Sequence, residues 1–247
     1  MRPSASSKPR RPRQLELRYR TWGGRRKGAG RKRTSSATPH RRRPPLASRH
    51  PVHITLSVDP NLPSLRRPDL TECIEDCLRE IRDARTDFRV VHYSIQRHHL
   101  HLVVEAANRQ ALSRGMRGLA IRVARRINKV LGRRGKVFVD RYFETVVKSP
   151  RQAKNCLCYV LLNTQRHLAQ SGQSCEPGWI DPASSGRYFD GWRGRPPPPP
   201  EPDRPVSEPH TWLLSRGWRR HGLVPLDTVP GTRARRPGLR APGTRTT

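Results

Sequence analysis

The chain has 247 residues, with 51 Lys+Arg against 19 Asp+Glu, a formal charge of +32. At 33% hydrophobic and 6% aromatic residues it is too polar to be packed evenly from end to end. It also lacks the run of about eighteen apolar residues that a membrane helix needs, so no membrane association is expected. The basic start MRPSASSKPRRPRQ has no apolar h-region behind it, unlike a secretory signal. Five scattered cysteines do not read as a disulfide framework. Such an excess of cations calls for a polyanionic partner, and nucleic acid is the obvious one.

Charge and pattern divide the chain into three. Residues 1–50 contain 17 Lys/Arg and a single acid, end in RRRPP, and show no apolar period. They read as a disordered basic arm whose Gly-rich patch, Trp22 to Arg33, suits a nucleic-acid backbone or a solvated tail equally. Residues 51–192 hold the periodic sequence, and 193–247 read as a disordered Pro/Arg-rich tail with five consecutive prolines at 196–200. Within the middle region Val52, Ile54, Leu56 and Val58 alternate with His53, Thr55 and Ser57, a half-buried strand. Asp69 and Glu72 resemble a capping box ahead of a helix with the stripe Leu70, Cys73, Ile74, Cys77, Leu78, Ile81. Strands are predicted at Arg89–Gln96 and His99–Glu105, joined as a hairpin through Arg97-His98. A second helix runs from about Asn108 to Leu131 and stops at Gly132. Lys136–Lys148 reads as one or two strand pieces, and Ser149, Pro150 and Gln152 start a third helix.

The order strand–helix–strand–strand–helix–strand–helix predicts an α+β, ferredoxin-like sandwich: an antiparallel sheet with helices on one face, plus a C-terminal helix. The opposite face is expected to be open and polar, carrying His53, His92, His99 and His101. His99 and His101, two apart on a strand, project together and can hold a divalent cation, though a polar surface or a phosphate contact would use the same pair. On the third helix Leu157 and its neighbours form the core stripe. Tyr159 and Asn163, one turn apart, lie about 200–240° from it, with Gln152. Tyr142 reads as packing in a strand. Cys73/Cys77 and Cys156/Cys158 read as buried thiols rather than zinc ligands.

HHLHLVVEA (98–106), RYFETVVKSP (141–150), YVLLN (159–163) and the DPASS-x3-FDGW stretch (181–192) resemble the HUH single-tyrosine transposases, and most closely their REP-associated tyrosine transposase branch. One departure is Thr164, where many relatives have proline after the Asn; without it the helix is free to run to about Leu168. The resemblance implies a cytoplasmic, nucleoid-associated bacterial enzyme cleaving single-stranded or hairpin DNA. Tyr159 would be the nucleophile, forming a 5′-phosphotyrosine, and His99, His101 and Asn163 would bind Mg²⁺ or Mn²⁺. Arg114, Arg117, Arg122, Arg125, Arg126 and Lys129 would track DNA phosphates. The site would form within one chain, or in a homodimer if the third helix crosses to a partner. A replication initiator or relaxase-like nickase would share this site. A non-catalytic nucleic-acid-binding sheet is the rival from another class, although the strands Arg89–Gln96 and His99–Glu105 lack the interleaved aromatics that a base-stacking face requires.

Overall fold

The structure, a computed structural model, describes residues 43–230. The basic arm expected over 1–50 lies outside the described residues as far as 42, and the end of the expected tail does so from 231 onward.

Alternating apolar and polar residues build β1 (Val52–Ser57), β2 (Phe88–Ile95) and β3 (His99–Ala106). Gln96 N donates to His99 O at 2.9 Å and closes the β2–β3 hairpin at the anticipated Arg97-His98 turn. Of the Lys136–Lys148 stretch only β4 (Phe143–Val146) joins the sheet as a strand, and Phe138 makes an isolated bridge to Val58. The four strands lie in the order β2-β3-β1-β4 with all neighbours antiparallel, the ferredoxin-like arrangement.

Helices α1 (Pro68–Ala84) and α2 (Arg109–Val130) cover one face. Leu70, Ile74 and Leu78 of α1 and Leu112, Met116 and Val123 of α2 bury against Val52, Ile54, Leu102 and Val104 of the sheet. The Asn108 side chain accepts from Ala111 N at 2.9 Å and caps α2. The start of α1 departs from expectation. Pro68, with no N–H to satisfy, takes the first helical position, so Arg67 is the N-cap and Asp69 sits inside the first turn, bonded to Arg67 and Leu70 N.

The opposite face is covered rather than open. Val103 projects there between His101 and Glu105, and a bulge between Val90 and His92 turns Val91 to the same side. Helix α3 (Pro150–Leu161) lands on these two valines with Ala153, Leu157 and Val160. Ser149 caps it and Pro150 occupies its first turn, as the sequence predicted.

The segment read as a structureless tail completes this second core. Leu213, Leu214, Trp218, Val224 and Leu226 pack with Phe189 and Trp192 against α3, around the short helix α5 (Trp212–Ser215). Trp218 is 1% exposed and donates its indole N–H to Leu214 O at 2.8 Å. Its ring passes so close to Gly191 that a Cβ there would lie 2.2 Å away. Residues 43–50 also depart from the disordered arm: Leu46 is buried and the Arg43 guanidinium pairs with Glu144 at 2.5 Å. The long charged and Pro-rich stretches hid these few apolar anchors, which have no period of their own.

Trp218→Ala should cost about 3–5 kcal/mol of stability, or roughly 6–20 °C in Tm at this chain length. An unchanged thermal melt would show that the C-terminal segment is not part of the cooperative fold.

Candidate active site

In the sheet register His101 lies opposite Thr55 and His99 opposite Ser57. The imidazoles therefore share the face onto which α3 packs. His101 Nδ1 lies 3.2 Å from both His53 Nε2 and Thr55 Oγ1. A proton on Nδ1 satisfies one of these partners and leaves the Nε2 lone pair free. That Nε2 is buried and has no hydrogen-bond partner. The His99 ring stands perpendicular to that of His101, 4.7 Å between centroids. Burial pushes the pKa of His101 down to about 2 and that of His53 to about 4, and lowers that of His99 as well, with His167 and His98 adding repulsion there. All three are neutral at neutral pH, the form that ligates metal.

Tyr159 comes from α3. Its ring meets His101 edge-on at 5.2 Å and His53 at 5.5 Å, and the Arg166 guanidinium stands 5.4 Å from its centroid. Phenol and imidazoles come together within one chain. At Leu162 (φ −108°, ψ 18°) the helix breaks, and α4 (Asn163–Gln170) begins. The helical path thus extends past Leu168 as anticipated, but through a break. Asn163 is 1% exposed, and both its carboxamide atoms lack partners. Orphaned buried polar atoms are rare in folded proteins and call for a ligand. Among the described residues no three His, Cys, Asp or Glu side chains are grouped to hold an ion. Two neutral imidazoles and the Asn163 carbonyl oxygen are a donor set that a divalent cation accepts.

A polar clamp holds this break in place. Arg66 binds Asp181 through two nitrogens at 2.7 and 2.9 Å, and also donates to Ile95 O at 2.9 Å and Thr164 Oγ1 at 3.1 Å. The Thr164 hydroxyl donates to Asp181, and Gln96 Nε2 donates to Thr164 Oγ1 at 3.0 Å. Ala183 N closes the loop onto Asp181 at 3.0 Å, and Ile95 N bonds Ala183 O at 2.8 Å. The DPASS stretch is thus laid along the outer edge of β2. Thr164, the departure from the family pattern, has a structural task.

Other expected residues fall elsewhere. Arg126 is engaged with Asp76 at 3.0 Å and with Glu80, and Arg122 stands 3.6 Å from Glu80. Both are drawn to carboxylates of α1. Arg114, Arg117, Arg125 and Lys129 are exposed, but α2 lies on the sheet face away from Tyr159. Glu105, on the same side of β3 as His101, turns to the C-terminal segment. It is 1% exposed and accepts from His210 N at 2.9 Å and Thr211 N at 2.8 Å. Tyr142 lies under Arg43, 3.9 Å from centroid to guanidinium. Cys73 and Cys77 are buried in the α1 stripe.

Three neighbours of the site were not singled out from sequence as site residues: His53, Thr55 and His167, whose ring lies 6.0 Å from that of His99. Alternation put His53 and Thr55 on a polar face, but only strand pairing sets them beside His101.

The family model described as "Transposase IS200 like" matches residues 47–160, which include His53, His99, His101 and Tyr159. No curated protein matches the chain. Similar solved structures include a REP-associated tyrosine transposase bound to a REP hairpin, at 13% identity and a TM-score of 0.45, covering 60% of this chain and 82% of that one. Another is a candidate transposase from Deinococcus radiodurans R1, at 14% identity and 0.34, covering 51% and 92%.

Asp181→Ala removes the carboxylate at the hub of the clamp and leaves Arg66 half-paired. It should lower stability by about 1–3 kcal/mol and speed proteolysis between residues 162 and 183. A melt and digestion pattern like those of the unsubstituted protein would remove the clamp from the account.

Proposed function

Since residues 47–160 match the model of the IS200-like transposase family, we propose that the chain is a DNA transposase that cuts and rejoins single-stranded or hairpin DNA through Tyr159. The observation that carries this reading is the contact of the Tyr159 ring with His53 and His101 on a buried sheet face.

A phenol is a weak nucleophile at its ordinary pKa near 10 and depends on alignment with an activated phosphorus. The packing of α3 on Val91 and Val103 supplies the alignment by fixing the ring edge-on to the imidazoles. Attack of the Tyr159 oxygen on the scissile phosphorus forms the phosphotyrosine bond as the phenol loses its proton. The bond to the 3′ oxygen breaks, and that oxygen takes up a proton to become a free 3′-OH. Attack by this hydroxyl, or by that of another strand, reverses the step and frees the tyrosine, so cutting and joining use one site without an external energy source. His99, His101 and Asn163 would hold Mg²⁺ or Mn²⁺. The chemistry a bound cation supplies is Lewis-acid polarisation of the scissile phosphate. His53 and Thr55, on His101 Nδ1, keep the ligating nitrogen turned toward the site. The exposed arginines of α2 and the basic arm add sequence-independent affinity for phosphates.

Incubation of the full chain with a labelled hairpin oligonucleotide and Mn²⁺ should give an SDS-resistant adduct that Tyr159→Phe reduces to background. Persistence of the adduct in that variant would move the nucleophile elsewhere. Failure of every structured substrate to give an adduct would favour a non-catalytic nucleic-acid-binding protein. Joining of the cut strand to a second strand separates a transposase from a nickase using the same residues. His53→Phe should weaken Mn²⁺ binding, read by electron paramagnetic resonance, about 10–100-fold; equal affinity would deny His53 its supporting part.

A further inference from the structure

Beyond the family match, the C-terminal segment presents an aromatic side chain that the second core does not use. Trp212, at the start of α5, is 47% exposed although Leu213 and Leu214 beside it are buried. Its indole is held in place: a Cβ on Gly217 would come within 2.7 Å of the ring, so the ring rests against backbone that only glycine allows. The Arg220 guanidinium lies over one face of the ring, 4.8 Å from its centroid. Together with Arg49, Arg89, His210 and Thr211, Trp212 lines a recess of about 280 Å³.

The electrostatics of this recess are cationic. The carboxylate nearest to it, Glu105, is buried and taken up by the His210 and Thr211 amides and, at 3.4 Å, by Arg89. Arg49 and Arg220 are exposed. A rigid indole flanked by guanidinium groups, with no exposed carboxylate lining it, suits a nucleobase stacked on the ring with its phosphates on the arginines. An acidic peptide would not use the indole face in this way.

Position links the recess to the chemistry. Glu105 lies four residues after His101 and on the same side of β3, about 13 Å along the strand. Its bonds to the His210 and Thr211 amides bring Trp212 to that end. We propose that Trp212, with Arg220 and Arg49, is a stacking site for an unpaired nucleotide of the DNA strand engaged at Tyr159. The assignment to that strand rests on the transposase reading; the stacking itself does not.

The test uses the full-length protein with EDTA present and two fluorescein-labelled hairpins, one blunt and one with unpaired thymidine flanks. Trp212→Ala should weaken binding of the flanked hairpin about tenfold and leave the blunt hairpin unaffected, while Trp212→Phe retains most of the affinity. With 5-iododeoxyuridine in the flank, irradiation should crosslink the strand to the peptide containing Trp212. Flank binding unchanged in Trp212→Ala, or an equal loss on both hairpins, would overturn the proposal. Adduct formation at Tyr159, assayed with Mn²⁺ on the same preparations, keeps the two readings apart. An adduct without any effect of Trp212→Ala sinks the stacking site alone. A flank-specific loss in a protein that never forms an adduct upholds the stacking site and sinks the transposase reading.

Discussion

One ion pair, its carboxylate buried and its guanidinium half-buried, joins the parts of the molecule on which the site depends. Arg66 follows β1, Asp181 belongs to the loop that runs along the edge of β2, and Thr164 lies just past the break after α3; they meet around one carboxylate, 2% exposed. A bidentate pair with every acceptor position occupied tolerates burial, whereas either partner alone would not. Because the same guanidinium also holds Ile95 O, the end of β2 and the start of α4 keep a fixed relation. Asn163, immediately before Thr164, is thereby fixed in the interior with its carboxamide unsatisfied.

The sheet face under α3 is packed and polar at once. Val91 and Val103 give α3 a narrow apolar footing, and the rest of that face is polar. A helix seated there buries imidazoles that would otherwise be hydrated. Desolvation then holds His53 and His101 neutral and leaves His101 Nε2 without a partner. Burying a polar atom unsatisfied costs about 1–3 kcal/mol, a cost that a cation bound there would remove.

The charge of the chain is also put to more than one use. Part of the arginine excess is structural: Arg43 and Arg109 share Glu144, and Arg79 and Arg126 share Asp76. Such surface and half-buried pairs add little stability each, but they place cations within the fold. The cations left exposed on α2 and around Trp212 stand on different sides of the sheet.

Local periodicity made most of the elements legible. The period of two placed His99 and His101 on one face, and the period of 3.6 set Tyr159 and Asn163 apart from the Leu157 stripe, because both depend only on neighbouring residues. Chain order was enough for the sheet topology. What covers each face was decided by the tertiary structure. His53 reaches His101 across 48 residues through strand register, and a single bulge between Val90 and His92 turns Val91 to the side that α3 covers. Leu213, Leu214 and Trp218, scattered among prolines and arginines, have no period to reveal them and become a core only when α3 offers a surface. Spacing along a chain fixes how a side chain leaves its own element; the partner it meets there depends on packing between distant segments, which no local pattern encodes.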